Sequence, residues 1–214
     1  MASSYFFDKE NFSYVPFIES KSAIITEELT SLLKEDVQNW TSAYPNYLTS
    51  SSLWKTFEFL FFGINHIENS KRCPRTAEII REIPQIISAQ FSILHPASHI
   101  LPHKGYSKLI LRNHLPLIVP EGQKCAIRIE NITHYWKKNE LVIFDDSFTH
   151  EAWNESDEIR VVLMFDIAKP DCGYTAEEIC RYKIENLNDQ NLLNYADKKT
   201  WMKWFRQGFF DFNS

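Results

Sequence analysis

The stretch HKGYSKLILRNHLPLIVPEGQKCAIRIENITHYWKKNELVIFDDSFTHEAWNESDEIR, residues 103–160, decides the fold. It is built of short strand-like runs separated by turn residues. Lys108–Ile118 is long and largely apolar, Cys125–Glu130 alternates in side-chain character, and Leu141–Phe144 is a short apolar run. Arg160–Ile167 extends the series and is nearly all apolar after its arginine. Such a run of short strands predicts an antiparallel sandwich or barrel. His103 lies before the first of these strands and His150 follows Leu141–Phe144.

Upstream, Gln90–Leu94 reads as a short strand and His95–Pro102 as a turn-rich link. Leu53–Ile67, rich in Phe and opened by Trp54, reads as a buried strand, with His66 in a polar loop. Before it, Ser20 is placed to cap a helix over about Lys21–Trp40, with Ile25, Leu29, Leu32, Leu33, Val37 and Trp40 at helical spacing. Phe6–Glu19 reads as an irregular arm and Thr41–Ser52, with Pro45, as a loop. Pro74 starts a second helix, ending near Pro84, with Ala77, Ile80 and Ile83 inward. Downstream, Thr175 and Glu178 form a capping box that opens a further helix. Trp201, Trp204, Phe205, Phe209 and Phe210 make a final aromatic segment, either packed on the core or offered as a homodimer surface. The expectation is one domain: a helical N-terminal part (1–88), a β core (89–170) and a helical C-terminal extension (171–214).

A chain of 214 residues can bury roughly 70% of its unfolded surface in one core. A net charge of −5, with no basic run, argues against a nucleic-acid partner. The apolar run Phe59–Ile64 is far short of a membrane span, and Met1–Phe7 carries no secretory pattern. Cys73, Cys125, Cys172 and Cys180 form no C-x-x-C pair, so free thiols and a cytoplasmic location are expected.

A lone histidine says little, but histidines at strand ends can converge in a barrel mouth. Arg160 is harder to read as ordinary, because arginine is rarely buried without a partner and its planar fork suits a carboxylate. An ion pair with Asp157 or Asp166 is the structural alternative. Asp166, six residues along the same extended strand, would be about 20 Å away.

Three segments carry a family resemblance: Ser92-Ile93-Leu94-His95-Pro96 through Pro102-His103-Lys104-Gly105; Leu111-Arg112-Asn113-His114-Leu115; and Leu141-Val142-Ile143-Phe144-Asp145-Asp146-Ser147-Phe148-Thr149-His150-Glu151-Ala152-Trp153. Together they resemble the aspartyl/asparaginyl β-hydroxylase family of Fe(II)- and 2-oxoglutarate-dependent dioxygenases, over most of residues 6–170. The resemblance implies a double-stranded β-helix (jelly-roll, cupin-like) core within an α+β fold. It implies that His103 and His150 bind Fe(II), that Arg160 and Ser92 hold the distal carboxylate of 2-oxoglutarate, and that Trp54, Arg112, Asn113 and His114 line the co-substrate site. Trp54 also reads as plain core. Gly105 stands where most of the superfamily carries His-x-Asp or His-x-Glu, and the family is similar in lacking that acid. Water would fill the position, with Asp145 or Asp146 placed to bond it.

The implied reaction consumes O2 and 2-oxoglutarate and hydroxylates an unactivated C–H bond, with the β-carbon of an Asp- or Asn-type residue as first expectation. Gln90 and Ile110 stand where animal members tend to carry basic residues, which weakens that substrate and leaves a free amino acid or peptide open. The competing readings are a non-catalytic module and a differently specialised cupin-like metal protein.

Overall fold

The computed structural model describes residues 5–35, 40–42 and 53–210. In chain order these form β1 (Phe6–Phe7), α1 (Val15–Ser20), α2 (Ser22–Lys34), β2 (Thr41–Ser42), β3 (Trp54–Phe61), β4 (Ile64–Asn65), α3 (Ile67–Arg72) and α4 (Pro74–Arg81). There follow β5 (Ile86–Leu94), β6 (Ser98–His103), β7 (Ile110–Ile118), β8 (Cys125–Ile129), β9 (Ile132–Tyr135), β10 (Val142–Phe144), β11 (His150–Asn154) and β12 (Arg160–Ala168). The last three elements are α5 (Ala176–Glu185), α6 (Gln190–Tyr195) and α7 (Lys198–Gln207).

Two antiparallel sheets make the core. The larger, eight-stranded sheet has the order β1-β10-β7-β12-β5-β3-β2, with β4 on β3; the smaller is β6-β11-β8-β9. The antiparallel sheets are those the strand pattern predicts, and the α+β, cupin-like architecture is the one the family resemblance implies. β12 sits between β7 and β5 and all nine of its residues are buried, as expected of a strand covered on both faces.

Alternation along β12 divides the core. Val161, Leu163, Phe165 and Ile167 face a layer formed by α1, α2 and α4. Arg160, Val162 and Asp166 face the other way, where Trp54, Leu94, Val142 and Phe144 meet Ile100, Ile127 and Ala152 of the smaller sheet. Within the helical layer, Ile25, Leu29 and Leu32 of α2 form the apolar stripe. Glu28 ties α2 to α4 by accepting hydrogen bonds from the Thr76 N–H and hydroxyl, both at 2.7 Å. A third cluster packs Ile64, Ile87 and Ile110 against Ile179, Ile184, Trp201, Trp204 and Phe210 of the C-terminal segment.

Several expectations change. The arm before residue 20 contains β1 and α1, with Pro16 in the first turn of α1. Ser20 caps nothing: its hydroxyl donates to the Phe17 carbonyl, and α2 ends at Lys34, short of Trp40. Val37 and most of the Thr41–Ser52 loop lie outside the described residues. His66 is the N-cap of α3, its Nδ1 accepting from the Asn69 N–H. The turn-rich link before His103 contains strand β6, whereas the strand read over Leu53–Ile67 is present as β3 and belongs to the larger sheet. The capping box of α5 is present as read. Of the C-terminal aromatics, Trp201, Trp204 and Phe210 are packed on the core, while Phe205 and Phe209 are half-buried. All four cysteines are free thiols, and no described helix is long and apolar enough to cross a membrane.

Candidate active site

His103 ends β6 and His150 begins β11, and the two are direct partners across that antiparallel pair. A bulge between His150 and Ala152 locally re-aims the strand. The imidazole centroids are 4.2 Å apart, close enough for both rings to bind one ion. Each Nδ1 lies beside a carbonyl two residues earlier: His103 at 2.7 Å from Leu101 O, His150 at 3.0 Å from Phe148 O. A carbonyl only accepts, so both Nδ1 atoms carry the proton, and in that tautomer the ring lone pair is on Nε2. Burial holds both rings neutral: it lowers the pKa of His103, and with the neighbouring His103 it brings His150 down to about 3. Neutral imidazole is the metal-binding form.

Among the described residues no group of three or more His, Cys, Asp or Glu side chains is arranged to hold a metal, so an ion here would have two protein ligands. Asp146, fully buried, lies behind Gly105, whose N–H donates to its carbonyl at 2.7 Å. Its Oδ2 is 2.9 Å from Arg112 Nη1, but neither carboxylate oxygen accepts a well-aligned hydrogen bond. Burial raises the Asp146 pKa to about 6, against the pull of Arg112. Asp145 instead pairs with Lys169 at 2.9 Å.

The opposite end of the space between the sheets is cationic. Arg160 is 1% exposed. No described carboxylate pairs with it; one Nη1 donates to the Ser92 carbonyl at 3.4 Å, and its face lies 4.6 Å from the Trp136 ring. Burial lowers its pKa to about 10, which leaves it charged at neutral pH. Four buried polar groups lack a hydrogen-bond partner here: Arg160 Nε, both ring nitrogens of His114, and Trp136 Nε1. Unpaired buried groups of this kind cost free energy, and a bound carboxylate would satisfy several at once. Ring contacts run continuously between the ends, from His150 to Phe144 (6.3 Å), His114 (4.9 Å) and Trp136 (5.8 Å). A two-histidine metal site with a keto diacid reaching a buried guanidinium therefore fits these residues.

Strand register explains the other placements. Ser92 opposes Val162 on the Arg160 face, and its hydroxyl accepts from Trp54 Nε1 at 2.9 Å, so Trp54 is both core and site wall. Arg112 and His114 share the Asp166 face of β7, and Arg112 grips Asp166 through two hydrogen bonds of 2.9 and 3.0 Å. Asp166 is thus the partner of Arg112 and not of Arg160. Asn113 is a correction. It lies opposite Phe165 on the helical face, where its side chain accepts from the Tyr14 hydroxyl at 2.7 Å, and it does not line the site. Period-two alternation beside Arg112 could have shown this. Trp136 was missed; it follows β9 in a loop with no pattern of its own.

The aspartyl/asparaginyl beta-hydroxylase family model matches residues 19–170. The ornithine lipid ester-linked acyl 2-hydroxylase of Rhizobium tropici is 38% identical over 169 residues, which is 77% of this chain and 60% of that protein. The human aspartyl/asparaginyl beta-hydroxylase is 32% identical over 123 residues, 55% of this chain and 16% of that protein. The chain therefore spans less than two thirds of either relative. Among solved structures, a Pseudomonas putida prolyl-4-hydroxylase aligns with a TM-score of 0.45 at 9% identity, covering 72% of this chain and 99% of that one.

Proposed function

Because the chain belongs to the aspartyl/asparaginyl β-hydroxylase family, we propose that it is an Fe(II)- and 2-oxoglutarate-dependent hydroxylase acting on a methylene next to a carboxyl-level carbon. The observation that carries the cofactor reading is a buried guanidinium with no described carboxylate partner, joined by ring contacts to two tethered neutral imidazoles. The target follows from the relatives' names. The β-carbon of an aspartyl or asparaginyl residue lies next to its side-chain carbonyl, and position 2 of an ester-linked acyl chain lies next to the ester carbonyl. The two share that chemistry and little else.

His103 and His150 would hold the metal through Nε2, each fixed in orientation by its carbonyl hydrogen bond. When bound, ferrous iron supplies oxygen activation coupled to decarboxylation of 2-oxoglutarate to succinate and carbon dioxide, with one oxygen atom passing to the substrate. Arg160, with the Ser92 hydroxyl and His114, would receive the distal carboxylate and fix the pose of the co-substrate. Trp136 and Phe144 exclude water from that end. Asp146, whose carboxylate lies against Gly105, would accept a hydrogen bond from a water bound to the metal.

The test is anaerobic addition of Fe(II) and 2-oxoglutarate to the purified protein, followed by visible spectroscopy and then succinate release in air. A weak charge-transfer band and slow succinate formation are expected. A folded protein that gives neither sinks the reading.

A further inference from the structure

The C-terminal segment lies beyond the matched residues, yet it walls the site. A cavity of about 180 Å³ has His103, Arg112, Phe62 and Tyr106 on one side and Lys183 and Leu192 from the C-terminal segment on the other. Lys183 projects from α5, with its ammonium 5.1 Å from the centre of the Tyr106 ring and 5.8 Å from that of Phe62. Aromatic faces attract a cation without neutralising it. The side chain is half-buried and makes no salt bridge with a described carboxylate; Asp189, which lines the same cavity, acts on it through space by its charge and offsets part of the cost of burial. Arg112 cannot play the same part, because its guanidinium is taken by Asp166 and Asp146. Lys104, which is exposed, adds a second ammonium to the lining.

We infer that this cavity takes the substrate and that Lys183 determines its specificity, holding an anionic group, carboxylate or phosphate, while the apolar stem lies against Phe62, Tyr106 and Leu192 and the reacting C–H bond faces His103. This rests on the hydroxylase reading above for the position of the oxidised carbon. The volume equals that of about six liquid water molecules. The cavity therefore admits the end of a side chain or a short acid and not a whole folded domain or lipid. Residues outside the family's matched segment thus select among substrates that share the same reacting methylene.

The test is calorimetric titration of the full chain loaded with Zn(II) and 2-oxoglutarate, which fills the Arg160 slot. The probes are pentanoate, butyl phosphate and neutral pentan-1-ol. Both anions are expected to bind more tightly than the alcohol. Lys183→Met weakens the anions at least tenfold and leaves the alcohol within twofold; Lys183→Arg restores most of the loss; Leu192→Trp, which fills the cavity, weakens all three. The tighter anion tells an acid side chain from a phosphorylated headgroup. Equal anion affinity in wild type and Lys183→Met, no preference for anions, or a loss that arginine does not rescue overturns the assignment, and so does failure of every probe to bind. Unchanged thermal midpoints certify the folds, with Lys183→Gln replacing methionine if that variant melts early. Titration of 2-oxoglutarate into the Zn(II) protein is read separately. If it does not bind, the hydroxylase reading fails, and the same probes in an Arg160→Met background still decide the role of Lys183.

Discussion

Gly105 lies flush on the carboxylate of Asp146: a β-carbon at position 105 would overlap both carboxylate oxygens. The space that an acidic ligand two residues after His103 would need is already filled by an acid from the loop before β11. Restoring His-x-Asp by Gly105→Asp should therefore supply no third ligand. It should cost roughly 1–3 kcal/mol from overpacking and further from like-charge repulsion. Removing the obstacle in the Gly105→Asp/Asp146→Gly double variant should recover most of that loss. Urea melts of the two single variants and the double give the coupling energy; additive losses would show that the two positions do not compete for one space.

Two neutral imidazoles leave most of a divalent ion's charge to be met by other ligands. Metal affinity should accordingly be weak alone and rise when 2-oxoglutarate is present, and by reciprocity the metal should raise 2-oxoglutarate affinity by the same factor. Titrating Co(II) with and without the keto acid measures this. His150→Ala should abolish metal binding in both conditions. Undiminished Co(II) affinity in that variant would mean that the metal sits elsewhere.

Arg160 is buried against Trp136 without a described carboxylate, so the empty protein carries an uncompensated charge. Replacing a buried charge by a well-packed apolar group is often neutral or stabilising by about 1–4 kcal/mol. Arg160→Met should raise the thermal midpoint of the ligand-free protein and weaken 2-oxoglutarate binding by two orders of magnitude or more. Wild type should gain stability from the co-substrate and the variant should not. A variant that melts earlier and still responds to 2-oxoglutarate would contradict both halves of the argument.

The residues of the candidate site were easier to single out in the sequence than the sheets that carry them. His103, His150 and Arg160 stood out because polar residues at the ends of apolar runs need a reason, and the structure sets the two imidazoles side by side, with centroids 4.2 Å apart. Strand β6 was hidden by Pro96 and Pro102; it is the edge strand of the smaller sheet, where a proline is tolerated. Strand β11 was hidden by Glu151, a buried charge satisfied by His99 and Arg128, both far away in sequence. Helix α2 kept an apolar period past its real end at Lys34. The part played by Lys183 depends on where α5 docks, which no local pattern in the chain discloses.

Acid should unfold this protein early, because six of its seven histidines have a lowered pKa, with burial the leading cause for each. The unfolded chain takes up protons as pH falls through the ordinary histidine range near 6.5, while the folded chain does not. More protons are then bound by the unfolded state, so stability is full above that range and falls as pH drops toward the folded values, about 3 for His150. Two carboxyls work the other way: burial raises Glu58 and Asp146, the latter to about 6, so the fold holds their protons where the unfolded chain would release them. Six against two leaves the histidines dominant. Urea midpoints of metal-free protein, measured with a chelator present, should fall steadily from pH 7 to pH 5. His66→Asn, which keeps a capping side chain at the start of α3 without the titrating ring, should make that decline shallower. A midpoint that stays level or rises over this interval would mean that the buried carboxyls outweigh the histidines.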